Sequence, residues 1–138
     1  MFGLPLLTPL AAYGGTALVF FTLDMLWLTV LGIGFYRAEI GALLLERPNL
    51  VPAVLFYLFY VAGLVGFAVL PALNAGSWVW ALVAGVALGL IAYGTYDMTN
   101  LATLRGWSLN ISLIDLCWGG LLSGVSALAG YWVARLTS

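Results

Sequence analysis

Between Arg47 and Asp97 the sequence contains no charged residue. About 20 apolar residues suffice to cross the roughly 30 Å hydrocarbon layer of a bilayer as a helix, so this stretch accommodates two membrane spans with a turn between them. The segment "PALNAGS", residues 71–77, reads as that turn. Composition agrees, with 64% of residues hydrophobic and 7% charged, against roughly 45–50% and 25% in soluble domains. The chain reads as an integral membrane protein.

Hydropathy and punctuation divide residues 1–138 into a single membrane domain with four spans, about Leu10 to Gly34, Pro52 to Leu70, Trp78 to Thr103 and Leu109 to Ala134. The N-terminal apolar stretch has no basic residue ahead of it and runs past any plausible cleavage point, so it is expected to be the uncleaved first span. Helices satisfy their own backbone in lipid, and no alternating pattern of about ten residues suggests a barrel. The expected fold is therefore all-α, a four-transmembrane-helix bundle with short connections and antiparallel neighbours. Gly85 and Gly89 in the third span and Gly120 and Gly124 in the fourth make two GxxxG pairs, which permit close helix approach.

Arg37, Arg47 and Arg105 fall on one side of this arrangement and Arg135 on the other, with the C-terminus. The excess of Arg on the first side predicts that it is cytoplasmic and that both termini lie outside. Trp78, Trp80, Trp107 and Trp132 stand near span ends as interfacial anchors. With four scattered Arg and no Lys, there is no basic patch to hold nucleic acid. Without His, the usual transition-metal ligand sets are missing, and no metal site is assigned.

The polar residues of the spans recur at helical spacing. Tyr93, Tyr96, Asp97 and Asn100 share a face of the third span, Asp24 and Trp27 a face of the first, and Asp115 and Trp118 a face of the fourth. The second span contributes Tyr57 and Tyr60. At 1.5 Å per residue, Asp97 lies about 9 Å in from Thr103, Asp115 about 9 Å from Leu109, Tyr57 about 8 Å from Pro52 and Asp24 about 15 Å from Gly34. All of these points lie on the Arg-rich side of the bilayer or near its middle. An intramembrane Asp costs about 2.5–3.5 kcal/mol on insertion scales, so the three acids are expected to face inward and toward one another. An indole one turn from each of Asp24 and Asp115 offers a donor to the carboxylate. Thr95, Thr99 and Thr103 form a second stripe whose hydroxyls are expected to bond back to the preceding turn. Glu39, Glu46 and Arg47 in the first connection read as solvated.

These features predict an intramembrane polar pocket that binds or moves a small or lipid-like molecule. Asp97 and Asn100 orient its polar group, Asp24 and Asp115 set the charge or carry a proton, and the rings of Trp27, Tyr57, Tyr93, Tyr96 and Trp118 hold its apolar part. Translocation by so short a chain implies a homodimer or a larger membrane complex. The competing reading is a membrane-embedded enzyme that acts on lipid or isoprenoid substrates by Asp acid–base chemistry. Against it, the sequence has no Ser-His or Cys-His pair, no HExxH and no nucleotide-binding loop, and it implies no particular cofactor. A third reading, a scaffold or accessory subunit, predicts polar groups that satisfy one another and leave no pocket.

The strings "YGTYDMTNLATLRGW", "FTLDMLWL", "AVLFYLFY" and "LIDLCWGG" resemble the DUF2177 family of predicted bacterial membrane proteins, over about residues 20 to 125. Asp24, Trp27, Phe56, Tyr57, Tyr93, Thr95, Tyr96, Asp97, Thr99, Asn100, Asp115, Trp118 and Gly119 match the family's polar signature. The resemblance implies a small multi-span protein of the bacterial inner membrane and implies no settled activity.

Overall fold

In the computed structural model, which describes residues 4–138, four helical stretches are long and apolar enough to cross a membrane: Leu7–Leu31, Leu50–Ala75, Trp78–Thr103 and Leu109–Arg135. The first consists of helix α1, Leu7–Leu26, and a widened π-helical turn, Trp27–Leu31. The chain bends at Gly32 and continues as the short helix α2, Ile33–Ile40. The second span joins α3, Leu50–Leu64, through a π-helical turn, Val65–Val69, to α4, Leu70–Ala75. Helices α5, Trp78–Thr103, and α6, Leu109–Arg135, are the third and fourth spans.

Both ends of the first two spans differ from those expected, and two of these differences shape the fold. The turn predicted at 71–77 is mostly helix, and the reversal is made by Gly76 and Ser77 alone. Pro71 lacks an N–H and crowds the carbonyl of the preceding turn, and the π turn at Val65–Val69 just before it lets the helix continue. Gly76 then takes left-handed backbone (φ 64°), while Ser77 N–H reaches back to Ala72 O (3.0 Å) and Ser77 Oγ caps Trp80 N–H (3.2 Å). The first span, expected to run to Gly34, ends at the bend instead. The Trp27 indole lies against the Gly32 Cα so closely that any Cβ there would collide with the ring.

Helix α6 is the centre of the bundle. More than half of its most apolar stretch is buried, against a third or less in each other span. Its small residues make this possible. A Cβ on Gly85 of α5 would sit 2.9 Å from Ser123 O and 3.0 Å from Gly124 Cα, and one on Gly89 would run into the Gly119 carbonyl, so both GxxxG pairs lie in the α5–α6 contact. Gly130, on another side of α6, receives Thr16 and Ala12 of α1. Thr8 and Thr137 are hydrogen-bonded through their hydroxyls (3.2 Å), which ties the two ends of the chain together. The first and last spans are thus packed antiparallel although they are the most distant in sequence.

Candidate functional site

Helix α5 meets the rest of the bundle mainly along one narrow strip. Ala81, Gly85, Gly89 and Asp97 are buried, and half-buried Tyr93 fills the gap in this run of four-residue steps. Such a row inclines across the helix, as expected where two helices cross at small residues. Asp97 is the strip's last member and has no exposed surface. Its predicted companions are divided by the narrowness of the strip. Asn100 is half-buried, whereas Tyr96 is 56% exposed and packs its ring edge-on against Trp107 (5.6 Å). Tyr96 therefore stands outside the buried cluster, beside Asn100.

Asp24 on α1 and Asp115 on α6 are also buried, at 4% and 6% exposure. Asp115 and Asp97 are neighbouring acids and Tyr57 of α3 neighbours Asp24, with no hydrogen bond in either pair. All three acids thus occupy one interior.

Their partners cross between helices. The Trp118 indole of α6 donates to Asp24 Oδ1 on α1 (3.3 Å). Trp27, one turn after Asp24, donates to the Tyr36 hydroxyl (3.0 Å), which in turn donates to Asp115 Oδ1 on α6 (2.5 Å). Each indole therefore serves the acid of the other helix instead of its own. Residues three apart share a helix face, so Asp24 and Trp27 both look at α6, and Asp115 and Trp118 both look at α1. The two indoles stack at 4.6 Å with planes 12° apart.

This stack is a partition. On its outer side Trp27, Leu113, Ile114, Cys117, Trp118 and Leu121 line an apolar depression of about 400 Å³, and a second, of about 350 Å³, lies on α1 against Leu18, Val19, Thr22 and Leu23. On its inner side lie the carboxyl groups. Both Asp97 oxygens, Asp24 Oδ2 and the Tyr93 hydroxyl are buried without a hydrogen-bond partner. The Tyr93 ring rests on Gly119, where any side chain would strike it.

Tyr36 was invisible to span-by-span reading because it lies in the first connection, among exposed Arg37 and Glu39. The bend at Gly32 turns α2 back over the end of α6, so its phenol closes the cluster on the Arg-rich side. Burial, then the Asp115 charge and hydrogen bond, push its pKa far above the ordinary phenol range and keep it neutral. Glu39 is exposed, as expected, and accepts from Ser108 Oγ (2.6 Å), the same oxygen that caps Ile111 N–H at the start of α6 (3.2 Å). The threonine stripe behaves as predicted at Thr95 and Thr103, which bond back to Ile91 O (2.6 Å) and Thr99 O (2.8 Å). Among the described residues no three acidic or Cys side chains converge as a metal-binding group.

The family model of DUF2177, described as a predicted membrane protein, matches residues 9–132 of this chain. No curated protein and no solved structure matches it.

Proposed function

The chain belongs to the DUF2177 family of predicted membrane proteins, and from that premise we propose that it binds a lipid-like molecule taken laterally from the bilayer. The observation that carries this reading is the Trp27–Trp118 stack, whose outer edge borders an apolar depression and whose indole N–H groups bond to Asp24 directly and toward Asp115 through the Tyr36 hydroxyl. The tail of the ligand lies along Leu113, Cys117 and Leu121, and its head passes the indoles to reach Asp97. The unpartnered atoms at that end are three carboxyl oxygens of Asp97 and Asp24 and the Tyr93 hydroxyl, so acceptors outnumber donors and the head is rich in donors, an amine or a polyol. Tyr57 and Tyr93 border the head, and Asn100 with Tyr96 forms the rim toward the membrane surface. Asp24 and Asp115 hold the indoles and the Tyr36 phenol in place around it. The Arg37, Arg47 and Arg105 side faces the cytoplasm of a bacterial cell and both termini face outward.

Native mass spectrometry of protein extracted in small lipid discs tests the proposal. Wild type is expected to retain a lipid with an amine or polyol head. Asp97→Asn should bind it about fivefold more weakly, because it replaces one acceptor oxygen by a donor amide and a net hydrogen bond contributes about 1 kcal/mol. A wild-type protein without a retained lipid, or an Asp97→Asn variant that retains it equally, would reject the reading.

A further inference from the structure

The connection between the first two spans contains three consecutive leucines, Leu43, Leu44 and Leu45, followed at once by Glu46 and Arg47. They lie outside the membrane-crossing stretches, which end at Leu31 and resume at Leu50. Nor do they fold back onto the bundle, since they are 50%, 40% and 71% exposed. Apolar surface gathered in this way on a connecting segment marks contact with a membrane or with another protein.

Both ends of this segment are fixed where spans begin. On one side Ile40 is buried, and Glu39 accepts from Ser108 Oγ, the capping residue of α6 (2.6 Å). On the other, Asn49 caps α3 by accepting from Val51 N–H (3.2 Å). The leucines are thus strung across the Arg-rich end of the bundle between the starts of its fourth and second spans. A 3₁₀ turn at Gly41–Leu43, closed by Leu44 N–H on Gly41 O (3.2 Å), begins the segment. Its apolar surface is continuous in sequence with that of the second span, where Leu50 and Val51 in the first turn of α3 are also exposed. Exposed Arg37 and Arg47 bracket the leucines. Of the two acids in this connection, Glu39 is already bonded to Ser108, so Glu46 alone opposes them.

We infer that residues 41–45 lie in the bilayer interface on the Arg-rich side, with the leucines at the acyl boundary and Arg37 and Arg47 on the phosphate groups of anionic lipids. The occupant of this surface is the headgroup layer of the protein's own membrane. Leucines bury apolar area at the boundary, and the long arginine stems let the guanidinium groups stay at the level of the phosphates above them. Opposite charge then favours anionic over zwitterionic lipid. The surface lies outside the spans, shares no residue with the Trp27–Trp118 site and does not depend on a lipid bound there.

Nitroxide labels on Leu44→Cys and Glu46→Cys, each in a Cys117→Ser background and in vesicles of phosphatidylcholine and phosphatidic acid, test the depth. Electron paramagnetic resonance reads their collisions with oxygen, which concentrates among acyl chains, and with a nickel chelate confined to water. The Leu44 label is expected to meet oxygen more often than nickel, and the Glu46 label the reverse. A Leu44 label as open to nickel as the Glu46 label, or shielded from both reagents as beneath a second copy or another protein, overturns the inference. Native mass spectrometry from discs of the same two lipids tests the arginines. Wild type is expected to retain phosphatidic acid in preference to phosphatidylcholine, and Arg37→Gln and Arg47→Gln should each weaken that retention about fivefold, equivalent to about 1 kcal/mol per Arg at an anionic surface. Equal retention of the two lipids by wild type, or unchanged retention when both arginines are replaced, overturns the phosphate contact. Phosphatidic acid carries neither an amine nor a polyol, so its loss is distinct from loss of the lipid that Asp97→Asn binds more weakly.

Discussion

Replacing Tyr36 by Phe keeps the ring between Trp27 and α6 and removes one oxygen that serves two hydrogen bonds, to Asp115 at 2.5 Å and from Trp27 at 3.0 Å. A hydrogen bond to a charged group contributes about 1.5–3 kcal/mol and a neutral one about 1 kcal/mol, although intramembrane bonds measured by double-mutant cycles average about 0.6 kcal/mol. Both partners are only partly accessible, so losing the oxygen leaves an indole N–H and a carboxyl oxygen without their partner. We expect a destabilisation of about 2–3 kcal/mol, or about 6–9 °C in the unfolding midpoint at roughly 3 °C per kcal/mol for a chain of this size. Thermal unfolding in lipid discs, followed by tryptophan fluorescence, reads both the midpoint and the environment of Trp27. The phenol's raised pKa adds a pH signature. The folded state holds the neutral form, so the advantage of wild type over Tyr36→Phe is full below the ordinary phenol value of 10.0 and declines as pH rises above it, where the unfolded chain begins to ionise. A midpoint shift below about 2 °C, less than 1 kcal/mol on the same scale, would refute the interlock of Trp27, Tyr36 and Asp115.

Two other expectations address packing and orientation. Gly89→Ala drives a methyl group into the Gly119 backbone and should destabilise by about 1–3 kcal/mol or more, whereas Gly14→Ala meets open space and should be neutral or stabilising in the same unfolding assay. In a Cys117→Ser background, Ser138→Cys should react with an impermeant maleimide added to intact cells and Ala38→Cys should not; the reverse pattern would invert the topology.

The fold class and the inward burial of the acids were legible in the sequence because they depend on transfer from water to hydrocarbon, a cost each residue bears by itself. A charge-free run must cross or avoid the bilayer, and Asp24, Asp97 and Asp115 must avoid lipid whichever helices surround them. The close approach of α5 and α6 at their glycines was legible for a similar reason, since missing side chains mark where backbones can meet. Partner identity was a different matter. Periodicity places Asp24 and Trp27 on one face of α1, but it does not say which helix lies opposite. Only the antiparallel contact of the first and last spans shows that each indole serves the other helix's acid. Helical spacing likewise grouped Tyr96 with Asp97, and a contact only one ridge wide left Tyr96 outside. Tyr36 needed the bend at Gly32, where the Trp27 ring fills the space that any Cβ would take and turns a connecting segment back over Asp115. Cost in lipid is a property of single residues and short stretches, whereas hydrogen bonds and stacked rings depend on distances between segments as far apart as residues 24 and 118; only the packed bundle sets those distances.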